Sequence, residues 1–136
     1  MAGTWKLNVA KSQYSLGNAP KSEIRAYSAL RHGQRDHTER TEANGKRTVF
    51  EYDAYYDEKD YPRRFLDPPN SGPGAGTVAL KRLDAHTVMA TVKVPGRPTQ
   101  TTRLQVAKDG KVFTSTQDGA SPEGKKFHNV LVFEKQ

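Results

Sequence analysis

The stretch His37-Thr38-Glu39-Arg40-Thr41-Glu42-Ala43-Asn44-Gly45-Lys46-Arg47-Thr48-Val49-Phe50-Glu51-Tyr52 decides the fold class. Asn44-Gly45 is the favoured pair for a two-residue β-hairpin turn, because both central residues must take positive φ and Asn and Gly do so at least cost. On both sides of the turn polarity alternates with period two, as in strands that present one face to water. Counting outward sets Thr41 against Thr48, Glu39 against Phe50 and His37 against Tyr52 on one face. The other face pairs Glu42 with Arg47, Arg40 with Val49 and Thr38 with Glu51. Ion pairs belong in water, so the Phe50/Tyr52 face is expected to point inward and to carry His37 and Glu39 with it.

The same alternation extends in both directions. Strands are expected near 3–8, 23–31, 35–43, 46–56, 77–83, 87–94, 99–108, 111–117 and 127–135. Asp109-Gly110 repeats the turn device, and Asp84-Ala85-His86 reads as a three-residue loop. Strands joined by such short turns must be antiparallel neighbours, since parallel pairing needs a long crossover. No internal repeat or break in composition divides the chain, and helical periodicity is absent. The expectation is an all-β fold: one lipocalin-like domain over residues 1–136, a single antiparallel up-and-down β-barrel of about 8–9 strands.

Alternation also sorts the lining. Val78, Leu80, Val88, Ala90 and Val92 share one apolar face. In the late hairpin Leu104, Val106, Phe113 and Ser115 form the core side, with Arg103, Gln105, Thr114 and Thr116 opposite. Tyr52 and Tyr56 point inward and Tyr55 outward. Arg25 and Tyr27 share a face of the second strand; inward, they can grip an anionic or phenolic group, but Ile24 and Leu30 on the other side make an exterior position equally readable. Residues 9–22 form a loop with room for no more than a turn of helix. Residues 62–76, rich in Pro and Gly, read as the one long irregular segment: a lid, favoured by the apolar pair Phe65-Leu66, or a plain connection.

Composition excludes several functions. Lys and Arg number 22 against 15 Asp and Glu, a net charge of +7, yet the basic residues are scattered among acids and never run beyond a pair such as Arg63-Arg64. A solvated basic surface is expected, with no nucleic-acid partner. The chain has no cysteine, so disulfides, thiolate metal sites and cysteine nucleophiles are out. No apolar run reaches the roughly 18 residues of a membrane span, so no membrane insertion is expected. Met1-Ala2 leads straight into the first strand signal, the pattern of a soluble chain, cytoplasmic or, after removal of a leader, secreted. His32, His37, His86 and His128 lack metal-ligand spacing, Gly72, Gly74 and Gly76 open no phosphate-binding helix, and no serine-nucleophile signature occurs. No cofactor or metal is expected.

Three segments resemble a known superfamily. Gly3-Thr4-Trp5-Lys6-Leu7 resembles the Gly-x-Trp opening of the calycins, the lipocalins and fatty-acid-binding proteins, whose Trp plugs the closed end of the barrel. Val132-Phe133-Glu134-Lys135 is similar to the closing strand of the fatty-acid-binding proteins. Thr101-Thr102-Arg103 followed by Lys108-Asp109-Gly110-Lys111 is similar to their late hairpin. Gly3 through Ser12 and Lys59-Asp60-Tyr61-Pro62 further resemble small bacterial lipocalin-like proteins. The resemblance implies a barrel that holds a small apolar molecule. It also has departures: residues 9–22 cannot supply the helical pair of the fatty-acid carriers, and their carboxylate-binding Arg and Tyr of the last strand correspond here to Leu131 and Phe133. The partner Arg of their late hairpin falls on Gln105, one inward step from Arg103.

The leading expectation is therefore binding of a small hydrophobic or aromatic ligand. Phe50, Tyr52, Tyr56, Leu80, Val88, Leu131 and Phe133 are the expected lining, and Arg25, Tyr27 and Arg103 the polar contacts. The alternative is a cofactor-free lyase or isomerase, with His37 or Tyr52 as general acid/base, Glu39 orienting the imidazole, and Arg25 or Arg103 stabilising negative charge. A packed structural barrel without ligand is the third reading, and a wetted, unimportant place for His37 and Glu39 at the rim stands beside the catalytic one.

Overall fold

The computed structural model describes all residues, Met1–Gln136. It has eleven strands: β1 (Gly3–Leu7), β2 (Ser22–Leu30), β3 (Gly33–Thr41), β4 (Arg47–Tyr55), β5 (Tyr61–Asp67), β6 (Pro69–Asn70), β7 (Thr77–Asp84), β8 (Thr87–Lys93), β9 (Gln100–Val106), β10 (Val112–Ala120) and β11 (Lys126–Lys135). All pairings are antiparallel. β1 joins β11, and the ring closes through β4–β5 and β5–β7, with β6 appended to β5 outside the ring. The fold is the expected up-and-down barrel, with ten strands in the ring. Closure removes the unpaired edges of an open sheet.

The strand beyond expectation comes from the segment read as irregular. β5 pairs along β4 from Tyr52↔Arg63 to Val49↔Asp67, but meets β7 only at Tyr61↔Val78 and Pro62↔Thr77. Its prolines and the sequence Arg63-Arg64-Phe65-Leu66, which sends one cation and one apolar residue to each face, hide the strand from a search for alternation.

Trp5 explains the closed end. Its ring is buried against Phe113, with centroids 5.6 Å apart, and its Nε1 donates to the Met1 carbonyl at 3.2 Å. Lys135 lies across the indole, Nζ 5.6 Å from the ring. Gly3 has φ 135°, and a Cβ there would sit 3.2 Å from Lys135 Cε. The Gly-x-Trp pair is thus one device: the missing side chain at Gly3 lets the lysine stem cover the plug.

The β3–β4 hairpin is one residue out of the expected register. Thr41 faces Arg47, Glu39 faces Val49 and Asp36 faces Tyr52. Only Gly45 takes positive φ, at 86°; Gly45 N donates to Glu42 O at 2.9 Å and Glu42 N to Lys46 O at 2.8 Å. Ala43, Asn44 and Gly45 therefore form a three-residue loop, a turn ending in a left-handed Gly. Because side chains alternate strictly, the extra loop residue turns all of β3 over. Gln34, Asp36 and Thr38 are buried inside, while His37 and Glu39 face outward. β4 keeps its expected face, with Phe50 and Tyr52 inside.

Candidate functional site

The barrel interior opens among the connections 8–21, 42–46, 68–76, 94–99 and 121–125. Below them lies a cavity of about 270 Å³. Its floor and one side are apolar: Val78, Ala90, Leu104 and Leu131 come from β7, β8, β9 and β11. The opposite side is polar: Arg25 and Tyr27 on β2, Asp36 and Arg40 on β3, and Tyr52 on β4. Phe50 and Phe65, with ring centroids 5.4 Å apart, and Arg63 form the upper wall.

Glu23 organises the polar side. This fully buried carboxylate accepts from Arg25 Nε at 2.6 Å through Oε2 and from Arg40 Nε at 2.5 Å through Oε1. Burial alone raises a carboxyl pKa, but the charges and hydrogen bonds of the two guanidinium groups outweigh it and hold Glu23 below the usual range. Arg25 is tied further to Tyr27 OH at 3.3 Å and Ser115 Oγ at 3.5 Å, and stacks 4.6 Å from the Phe133 ring centroid. A buried ion pair stays folded at tolerable cost only when its remaining polar atoms also find partners, as these do.

Asp36 is set differently. It accepts from Thr38 Oγ1 at 2.6 Å and forms no salt bridge. Burial pushes its carboxyl up to about 6, against the lowering pull of Arg25 and the Thr38 bond. Burial likewise raises the Tyr27 and Tyr52 hydroxyls, so both remain protonated donors at neutral pH.

Arg63 is the third cation of the cavity. Its Nε donates to the Ala75 carbonyl at 2.9 Å, and its guanidinium carbon lies 5.3 Å from the Phe65 centroid and 5.8 Å from that of Phe50. No ion pair of the protein includes it. Burial, then the repulsion of Arg40 and Arg97, lowers its pKa.

Of the residues expected at the site, Arg25, Tyr27, Phe50, Tyr52 and Leu131 meet in this cavity. Leu80 and Phe133 are packed into the core, and Val88 and Tyr56 border a second hollow of about 400 Å³ at the closed end, beside Met1, His32, Gln34 and Arg82. Arg103 lies exposed on the outer wall, as strict alternation opposite Leu104 requires. His37 and Glu39 also sit outside, where His37 Nδ1 is 3.2 Å from Glu51 and its Nε2 3.5 Å from Glu39. The inward orientation expected of His37 and Glu39 fails for the register reason given above. The sequence pattern does not point to Asp36, Arg40 or Arg63: a two-residue turn at Asn44-Gly45 assigns the first two to the outer face, and the third lies in a segment without alternation.

No protein-family model matches the sequence, and no curated protein matches it. Among solved structures, the chain is similar to the crystal structure of zebrafish ileal bile acid-binding protein complexed with cholic acid, with a TM-score of 0.54 and 10% identity, covering 99% of this chain and 98% of that one. At that identity the likeness shows a shared barrel fold, over the full length of both chains.

Proposed function

We propose that this protein binds a small, largely apolar molecule in the cavity at the open end of the barrel. The observation that carries the reading is a space enclosed by ten closed strands, apolar on the Val78, Ala90, Leu104 and Leu131 side, with a few fixed polar groups opposite. That mixture is typical of sites that bury a ligand and orient it. The fold likeness to a protein crystallised with cholic acid points the same way. At about 270 Å³ the cavity lies just below the roughly 300–1,000 Å³ usual for ligand pockets, so one or two fused rings fit better than a steroid.

The test is a titration with N-phenyl-1-naphthylamine, a neutral aromatic probe, in the wild type and in Ala90→Phe, whose ring would occupy the cavity. Saturable binding that disappears in the folded variant supports the reading. Absence of binding in the wild type defeats it and leaves a packed structural barrel.

A catalytic reading of the same space draws on Asp36, the cavity carboxyl whose pKa rises to about 6, with Tyr52 across the strand pair from it. Turnover in a substrate screen that is lost in Asp36→Asn and kept in His37→Ala would favour it over simple binding.

A further inference from the structure

We infer that the ligand carries an anionic group, a carboxylate or sulfonate, and that it binds with this group outward at Arg63 and its apolar body pointing down into the barrel. The inference rests on the binding reading above and adds ligand class and orientation to it.

Three guanidinium groups line the cavity, and they are not equivalent. Arg25 and Arg40 share the buried Glu23 carboxylate, and Arg40 has Glu42 at 3.7 Å as well. Their charge is answered from within the protein. Arg63 has no carboxylate partner, and its Nε is committed to the Ala75 carbonyl. That bond and the two flanking phenyl rings fix the plane of the guanidinium, and its Nη groups, which make no hydrogen bond within the protein, are not sealed off on the cavity wall. A planar, pre-set cation with two free donors is suited to bidentate recognition of a carboxylate or sulfonate. Burial and the like charges of Arg40 and Arg97 outweigh the weaker pull of Asp36 and disfavour the unpaired cation, and an arriving anion relieves both.

The position dictates the orientation. Arg63 springs from β5 opposite Tyr52, one inward step below the Phe50–Phe65 pair, and its guanidinium turns up toward those two rings and the Ala75 carbonyl of the 68–76 connection, with the apolar side of the cavity beneath. The deep end offers no free cation, since Arg25 is held by Glu23 and the last strand presents Leu131 and Phe133. An anion at the bottom would be buried without a counter-charge, which is costly.

The charge of the two barrel ends agrees. The connections at the mouth carry Lys11, Lys21, Lys46, Arg97 and Lys125 against Glu42 and Glu123. Those at the closed end balance Arg31, Lys59, Lys108 and Lys111 against Asp57, Glu58, Asp60 and Asp109. The excess positive field is at the opening, where it steers anions inward.

The experiment compares 1-anilinonaphthalene-8-sulfonate with the neutral N-phenyl-1-naphthylamine, the same ring system without sulfonate, by calorimetric titration of the wild type, Arg63→Gln and Arg64→Gln. Arg64 is the sequence neighbour on the outer face, paired with Glu51 at 3.0 Å, and controls for the change in net charge. The expected result is tighter binding of the sulfonate in the wild type, a loss of about tenfold in Arg63→Gln, and neutral-probe affinity within about twofold throughout. Equal affinity of the two probes in the wild type, or a sulfonate affinity that Arg63→Gln leaves unchanged or Arg64→Gln lowers as much, overturns the inference while the binding reading stands. Failure of both probes in the wild type overturns both. Should Arg63→Gln not fold, the wild type still decides: added salt weakens the sulfonate alone if an ion pair holds it, and an equal salt response of both probes overturns the inference.

Discussion

The two sides of the cavity are built by opposite rules. Across β7 to β11, the inward positions are Val78, Leu80, Val88, Ala90, Leu104, Phe113, Leu131 and Phe133, all buried and apolar apart from residues such as Thr102 and Ser115. Across β2 and β3 the inward positions are Glu23, Arg25, Tyr27, Gln34, Asp36 and Thr38, equally buried and almost wholly polar. The first side is held by close packing, which is tolerant of sequence detail but intolerant of voids. The second is held by a connected set of hydrogen bonds and charges, where each group depends on its partner. An apolar wall gives a ligand area; a polar wall gives it orientation.

Substitutions can break this contrast, starting with the largest effect. Phe113 is fully buried and stacks on Trp5, Tyr27 and Phe133 at 5.4 to 5.6 Å. Phe113→Ala is expected to cost about 4 kcal/mol of unfolding free energy in urea titration, through lost transfer energy and the void left behind. A cost near that of an exposed site would mean that the apolar side is loosely packed.

On the polar side, Glu23→Gln should cost about 3 kcal/mol, because Arg25 would stay buried with its charge unanswered. The pH dependence follows from the depressed pKa of Glu23: its stabilisation is complete above the ordinary carboxylate range and is lost as pH falls through its lower folded value. Little change in the variant would show that Arg25 relaxes toward another partner.

Asp36→Asn tests the opposite sign. The folded carboxyl titrates near 6, above its ordinary value of 3.8, so the folded state holds the proton more tightly than the unfolded chain. Its penalty is absent below the unfolded value and grows as pH rises to about 6. The groups facing it are Glu23, Arg25 and Tyr27 on β2, Thr38 on β3, Tyr52 on β4 and Arg63 on β5. Asn keeps the oxygen that accepts from Thr38. The variant should be more stable at pH 8 by on the order of 1–3 kcal/mol and should lose the slope between pH 4 and 6. A less stable variant at pH 8 would show that the negative charge is favoured inside.

The smallest effect sharpens the register. His37→Ala should change stability by less than about 0.5 kcal/mol and leave probe binding intact, since the side chain stands on the outer wall. An effect on cavity binding would argue for an inward His37 and the alternative hairpin pairing.

The legible parts of the molecule were those where chemistry and geometry repeat each other. Val78, Leu80, Val88, Ala90 and Val92 make one face of a hairpin uniformly apolar, while Thr77, Lys81, Thr91 and Lys93 make the other face mixed despite Ala79 and Met89, so periodicity marks the face. Leu104 and Phe113 are marked the same way. Arg25 and Tyr27 were caught only as a pair on one face, because polarity assigns them to water while the fold puts them inside. In β3 polar residues fill both faces, so alternation is silent and the face rests on the turn alone. There Asn44-Gly45 favours one loop length, and the chain adopts another.

From sequence alone follow the all-β class, the antiparallel order and the apolar side of the interior, because each depends on local turn chemistry or on period-two patterning within a few residues; the closed end at Gly3 and Trp5 is legible only through the resemblance of that segment to the Gly-x-Trp opening. Only the tertiary structure decided that β5 completes the ring, that β3 turns Asp36 inward and His37 outward, and that Arg63 stands unpaired beside two phenyl rings. The physical reason is the same each time. A buried charge is acceptable only where distant strands supply its partner, and a strand without alternation exists only because neighbouring strands take up its hydrogen bonds.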